Sequence, residues 1–223
     1  MKIIIINGSP RKNGITSKIL HCIEEQLTQK DSTSVDYVDL IDLNIKVCKG
    51  CCACYHTGMC YIEDDAEKLV QMISESDGIV IGSPTYASNI SGLLKVFVDR
   101  GHFVIEQALY GKYAMSVATG ENYGSKDTSQ VINKLLKYSG AKVSGRIVQN
   151  ISFGEDLEGY KTIANKIKRE TEKLYKGIQY KQRYIWQSFL HKIIFSIGIK
   201  PFVLKKGQAY SGVIDKWKNA KVI

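Results

Sequence analysis

The chain has 223 residues, 44% of them hydrophobic and 24% charged, with a formal net charge of +9. That length suits one α/β domain with extensions, and that apolar content excludes a disordered chain. No uncharged apolar run reaches about 18 residues, so no ordinary transmembrane helix is expected. The opening MKIIIINGSP lacks the small-residue cleavage site of a secretory signal. The six cysteines therefore point to thiols or metal ligands in a reducing, cytoplasmic compartment rather than to a disulfide framework. The charge is uneven. Residues 1–160 carry 16 basic and 19 acidic side chains, and residues 161–223 carry 15 and 3. The basic excess belongs to the C-terminal part and says little about the partner of the main domain.

In chain order, Ile3–Ile6 is β-branched throughout and reads as a buried parallel strand, ended by Asn7-Gly8-Ser9-Pro10. Ile15, Ile19, Leu20, Ile23 and Leu27 predict a helix to about residue 29. Val35–Leu40 alternates as a second strand, and the Cys-rich segment 48–60 reads as a loop. Asp64 or Asp65 caps a helix bearing Leu69, Val70 and Ile73, and Gly78–Gly82 is a third strand. Ser91–Gln107 reads as one amphipathic helix, and Tyr113–Ala118 as a fourth strand. Asp127 or Thr128 caps a helix ending near Ser139-Gly140, Lys142–Ser152 is a fifth strand, and Leu157–Tyr175 is a charged final helix. This alternation predicts a doubly wound parallel sheet, an α/β fold of five strands over residues 1–177, followed by a basic aromatic extension over 178–223. Ligands of such sheets sit at the C-terminal ends of the strands near the switch point, which selects the loops 7–16, 83–90 and 119–124, with 48–60 nearby.

Gly8-Ser9-Pro10-Arg11-Lys12-Asn13-Gly14-Ile15-Thr16-Ser17 joins a strand to a helix, where backbone N–H groups favour an anion. Ser9, Thr16 and Ser17 offer hydroxyls, and Arg11 a charge-assisted donor. The loop has neither the Gly-Lys-Ser/Thr ending of a Walker A loop nor the G-x-G-x-x-G of a dinucleotide site. A hydroxyl-rich loop of this kind suits the terminal phosphate of a mononucleotide. The other reading is a polar strand-to-helix turn capped by Thr16 or Ser17.

The run Ile-Asn-Gly-Ser-Pro-Arg-Lys-Asn-Gly-Ile-Thr resembles the phosphate loop of the flavodoxin-like NAD(P)H-dependent FMN reductases. Gly82-Ser83-Pro84-Thr85-Tyr86, followed by Ser91-Gly92-Leu93-Leu94-Lys95-Val96-Phe97-Val98-Asp99-Arg100, is similar to that family's second signature. Ile15 stands where relatives commonly place an Asn. The resemblance implies a flavodoxin-like fold that binds FMN. Ser9, Arg11, Asn13, Thr16 and Ser17 would then lie around the phosphate, and Ser83, Pro84, Thr85 and Tyr86 beside the ring. Thr119 and Gly120 would lie at the ring's pyrimidine edge. It further implies NAD(P)H as cosubstrate, a small-molecule electron acceptor or redox protein as partner, and a homodimer or homotetramer.

Cys48, Cys51, Cys54 and Cys60 give C-x2-C-x2-C-x5-C, with Cys52 inserted, a compact spacing suited to a soft metal centre. The same spacing resembles the iron–sulfur flavoproteins, a branch of the same family, and implies a 4Fe-4S cluster. Zinc is the second choice, since four thiolates also suit a tetrahedral site. His56 is a possible substitute ligand. In the tail, Trp186, Phe189, Leu190, Ile193, Ile194 and Ile197 fall at helical spacing among lysines and arginines. Docking on the domain or a second subunit is favoured over an anionic membrane surface, and no nucleic-acid motif accompanies the charge. The expected function is FMN-dependent transfer of electrons from NAD(P)H to an acceptor. The rivals are a non-catalytic iron–sulfur flavoprotein carrier fed by a ferredoxin-like donor and a metal-binding module without flavin.

Overall fold

The computed structural model describes residues 1–157 and 161–223. Strand β1 (Lys2–Asn7) contains the isoleucine run, and all four isoleucines are fully buried. Side chains alternate across a strand, so β1 serves both faces of the sheet. Ile3 and Ile5 pack against Ile19, Leu20, Ile23 and Leu27 of α1 (Ile15–Thr28). Ile4 and Ile6 pack in the opposite layer with Leu69 and Ile73 of α3 (Asp65–Glu75) and Phe97 of α4 (Gly92–Arg100).

The remaining strands are β2 (Ser34–Asp39), β3 (Gly78–Pro84), β4 (Tyr113–Gly120) and β5 (Lys142–Asn150). They form one five-stranded sheet in the order β2-β1-β3-β4-β5 with every pairing parallel. This is the flavodoxin-like order, whose direction reverses between β1 and β3. At that switch point the backbones touch: Gly8 N–H donates to Gly82 O at 2.8 Å. A Cβ on Gly8 would stand 2.9 Å from both Gly82 O and Leu94 Cβ, so only glycine admits this approach.

Four sequence expectations are refined. The helix expected over Ser91–Gln107 is broken: α4 ends at Arg100, and the short α5 (Phe103–Glu106) restarts after His102 at φ 47°. Gly101 permits the break, since a Cβ there would strike the Phe103 ring. Helix α6 (Ser125–Tyr138) begins before Asp127 and Thr128, with Gly124 at φ 81° as its cap. Thr128 Oγ1 instead donates to Asn89 O at 3.1 Å. Strand β5 ends at Asn150, which frees Ile151 and Ser152 for the following loop. Helix α7 runs over Lys161–Gln179 and packs Ile163, Ile167, Leu174 and Ile178 on the α1 side. The expected start at Leu157 precedes it, and residues 158–160 lie outside the described residues. At α3, Asp64 is the cap, accepting from Ala66 N–H at 3.0 Å.

The extension packs against the domain through residues other than the expected stripe. It comprises α8 (Ile185–Ile194), a π-helical turn at Phe195–Ile199, α9 (Lys200–Lys206) and α10 (Ser211–Asn219). Phe195, Val203, Val213 and Trp217 form its core against Tyr55 and Ile105. Trp186 is 82% exposed and Ile197 76%, with Phe189 and Leu190 also in solvent. The reason lies in polar anchors on the other face of α8: the Gln187 side chain pairs with both Val143 N–H and Val143 O at 2.9 Å, covering the β5 edge. No helix among the described residues is long and apolar enough to cross a membrane.

Helix α10 seats on α2 (Ala53–Thr57), the one turn of helix inside the Cys-rich loop, at a glycine–glycine contact. A Cβ on Gly212 would stand 2.2 Å from Gly58 N and 2.7 Å from its Cα. Neither backbone atom can yield, so Gly212→Val should cost about 1–3 kcal/mol and lift α10. In a Trp186→Phe background, fluorescence reports Trp217 alone, and its emission should shift to the red in Gly212→Val. Unshifted emission would show that the contact does not hold the helix.

Candidate functional site

Four loops at the C-terminal edge of the sheet enclose a cleft of about 530 Å³, within the range of small-molecule sites. The first loop is rigid by construction. Asn7 is fully buried, donates to Asp39 Oδ1 at 2.6 Å and accepts Ser9 N–H at 3.0 Å. Ser9 Oγ accepts Arg11 N–H at 3.1 Å and donates to Arg11 O at 3.2 Å, closing the turn on itself. Helix α1 then starts with Gly14 as its cap and no side chain bonded to its first N–H groups. Those donors open toward the cleft, where an anion gains from them and from the helix dipole. Arg11, Asn13 and Thr16 line the same wall.

Thr16 Oγ1 meets Thr119 Oγ1 at 2.6 Å, tying α1 to the end of β4. Thr85 N–H donates to Thr119 O at 2.7 Å, which ties in the end of β3. Tyr86 and Asn89 then exchange two backbone bonds of 3.0 Å around Ala87 and Ser88, both at positive φ. This tight turn holds Tyr86, which is half exposed, at the rim with Pro84.

Of the eleven residues expected to bind the cofactor, Ser9, Arg11, Asn13, Thr16, Pro84, Thr85, Tyr86, Thr119 and Gly120 line this cleft. Ser17 and Ser83 do not. Ser17 Oγ pairs with Tyr37 OH at 3.1 Å on the buried face of α1. Ser83 Oγ accepts Ser91 N–H at 2.9 Å and donates to Pro84 O at 2.7 Å, holding the strand end to the α4 cap. The loop after β5 was missed: Ile151, Ser152, Phe153, Gly154, Glu155 and Asp156 form the fourth wall. Reading β5 through Ser152 concealed it, although it sits at a strand C-terminus like the others. Lys18 pairs with Asp156 across the mouth, and this bond first, with the Leu157 N–H, lowers the Asp156 pKa.

The cysteine segment lies beside α4, α5 and α10. All its thiols are free: Cys48, Cys51 and Cys52 are exposed, Cys60 is half-buried and Cys54 is buried. Among the described residues, no three His, Cys, Asp or Glu side chains are gathered so as to hold a metal ion. The expected ligand set is thus on one loop but is not assembled here around a single ion. Cys54 Sγ lies 3.1 Å from His102 Nε2. Burial, then Glu106, pushes the Cys54 thiol up to about 11. Burial, then Lys216 and Arg100, lowers His102 below its ordinary value, which favours the neutral imidazole. His56, a candidate substitute ligand, is instead within 2.8 Å of Gln208 O through Nδ1.

The segment is held from both ends. Tyr55 stacks on Tyr210 with ring centroids 4.7 Å apart, and Lys216 pairs with Glu106 at 2.6 Å. On the other side Arg100 and Asp64 form a buried two-point pair, 2.5 and 3.1 Å long, with side-chain exposures of 1% and 0%. Arg100 also donates to Lys46 O and Ile62 O, so it bridges both ends of the segment. Its buried Nε makes no hydrogen bond of ordinary geometry, and the guanidinium faces Cys60. Sequence spacing could not pair Asp64, the cap of α3, with Arg100 at the end of α4.

Comparisons with known proteins agree with this geometry. Residues 1–156 match the family model of NADPH-dependent FMN reductases. An iron–sulfur flavoprotein of Clostridioides difficile strain 630 is 34% identical over 226 residues, covering 100% of both chains. Another, from Archaeoglobus fulgidus, is 31% identical over 189 residues, covering 79% of this chain and 83% of its own. The solved structure of RosB with bound 8-demethyl-8-formylriboflavin-5′-phosphate shares the fold, with a TM-score of 0.64 at 15% identity. That match covers 88% of this chain and 86% of RosB.

The buried pair makes stability depend on acid. Burial alone raises the Asp64 carboxyl, but bonds from Arg100 and from the Lys46 and Ala66 N–H groups outweigh it, and the net pKa is lowered. Its contribution is therefore full above the unfolded value of about 3.9 and is lost as pH falls through the folded one. Asp64→Asn strands a buried guanidinium and should cost about 3–5 kcal/mol at neutral pH. Urea titrations should show a flatter loss of stability below about pH 4 in the variant than in the parent protein. Parallel acid profiles would remove the pair from this role.

Proposed function

The chain belongs to the NADPH-dependent FMN reductase family, alongside relatives named iron–sulfur flavoproteins, and from that premise we propose that its cleft binds FMN and that the protein is an NAD(P)H-dependent oxidoreductase. The observation that carries the reading is the uncapped start of α1 opening into a cleft walled by all four strand-end loops. Its dimensions and donors fit one phosphate and one planar ring. Arg11, Thr16 and the first N–H groups of α1 would hold the phosphate. Pro84 and Tyr86 would flank the ring, and the backbones of Thr85 and Gly120 would meet its polar edge. The bound flavin supplies hydride acceptance and onward electron delivery. The protein's part is to seat it, shield it and orient it, so no side-chain acid or base is assigned.

The four cysteines Cys48, Cys51, Cys54 and Cys60 would hold a 4Fe-4S cluster. Their donor chemistry fits: free thiols on one loop, with the Arg100 guanidinium facing Cys60. The relatives named iron–sulfur flavoproteins favour the cluster over zinc. The acceptor would be a small molecule or a redox protein. The exposed apolar residues of α8 support assembly as a homodimer or homotetramer. A carrier fed by a ferredoxin-like donor is the second reading, favoured by the cysteine loop.

Anaerobic purification with absorbance, flavin and metal analysis tests both cofactors. One FMN and about four irons per chain are expected. FAD in place of FMN would defeat the cleft assignment, and zinc without iron would defeat the cluster. Arg11→Ala with Thr16→Val should weaken FMN binding by about 1.5–3 kcal/mol for each bond lost to the charged phosphate. Ser17→Ala should leave it nearly unchanged, because that hydroxyl faces Tyr37. Steady oxidation of NADH or NADPH separates the reductase from the carrier.

A further inference from the structure

The break between α4 and α5 places one imidazole against one cysteine. His102 adopts φ 47°, a left-handed conformation that non-glycine residues seldom take and that persists only where its surroundings hold it. The strained residue carries its ring to the cysteine segment. Its Nε2 lies 3.1 Å from the sulfur of Cys54, the one fully buried cysteine of the four. Tyr55 meets the imidazole edge-on at 5.3 Å and fixes its plane. Glu106, the nearby carboxylate, is bonded to Lys216 and so is not the ring's partner.

We propose that His102 is a positioning residue of the cysteine site, donating its Nε2–H to the Cys54 sulfur and thereby setting the reduction potential of the cluster. The inference rests on the cluster reading given above. Its physical basis is general. A donor aimed at a ligating sulfur withdraws electron density from it, and the reduced cluster, with more charge on sulfur, gains most from the bond. The potential is therefore raised. Arg100, paired with Asp64, faces Cys60 rather than Cys54, so His102 is the donor assigned to the Cys54 sulfur. Neither residue lies in the phosphate cleft, so the flavin's affinity and potential should not follow the cluster's.

The test uses the full chain purified anaerobically, with iron and FMN content and a dithionite titration followed by electron paramagnetic resonance. His102→Leu removes the donor and keeps an apolar side chain. His102→Gln offers a donor again. The expected result is full iron and FMN in both, a lower cluster potential in His102→Leu, and partial recovery in His102→Gln. An unchanged potential in His102→Leu with full iron overturns the inference. So does loss of iron from both variants with FMN retained, which would make His102 a brace for the loop. Parent protein without iron would instead sink the cluster reading itself, and the two failures are thus distinguishable.

Discussion

Burial of β1 on both faces is the constraint from which the architecture follows. A strand of four fully buried isoleucines needs an apolar layer above and below it. Its neighbours β2 and β3 are parallel to it, so every return of the chain must cross a face of the sheet. Those crossings supply α1 on one face and α3, α4 and α6 on the other, and α7, which follows the last strand, joins α1. They also bring every strand-to-helix loop to one edge. The cleft is thus a by-product of parallel pairing, and its place between β1 and β3 is set where the order reverses.

The same arithmetic leaves the cysteine segment without a sheet to rest on. It leaves the domain after β2 and is secured by contacts distant in sequence. Arg100, drawn in from the end of α4, fastens both of its ends through Asp64 and two carbonyls. The extension closes the other side by setting Gly212 against Gly58. Breaking α4 at Gly101-His102 serves both purposes. It frees Arg100 to turn inward, and it redirects α5 so that Ile105 O can accept the Trp217 indole N–H at 2.9 Å. A C-terminal extension that looked like an appendage is therefore part of the wall around the thiols.

Much of this was legible in the residues. Strand runs of Ile and Val, helical repeats of apolar residues and the Gly-Ser-Pro turns are local signals, and the strands and main helices lie where those signals put them. The cleft loops followed because ligand position in a parallel sheet is a property of topology. Orientation within a loop was less accessible. Ser9, Thr16, Ser17 and Ser83 are alike as hydroxyls, yet Ser17 turns to Tyr37 and Ser83 to Ser91. Which side chain faces the ligand depends on neighbours that arrive from other strands. The loop after β5 escaped notice because a strand's alternation fades gradually into its loop.

The sequence by itself determined the five parallel strands, the helices that cover them, the edge where a ligand must sit and the presence of a thiol-rich loop. Tertiary structure alone decided which residues hold that loop. Periodicity reports that a face is apolar, and it does not report what the face meets. The stripe from Trp186 to Ile197 is the clearest case: it has the pattern of a docking face, but Gln187 and Phe195 turn the helix so that Trp186 and Ile197 lie in solvent. The pairs Asp64–Arg100, Cys54–His102 and Gly58–Gly212 have the same origin. Each joins segments whose separation along the chain carries no pattern, and each was settled by steric fit and burial once the sheet had brought the segments together.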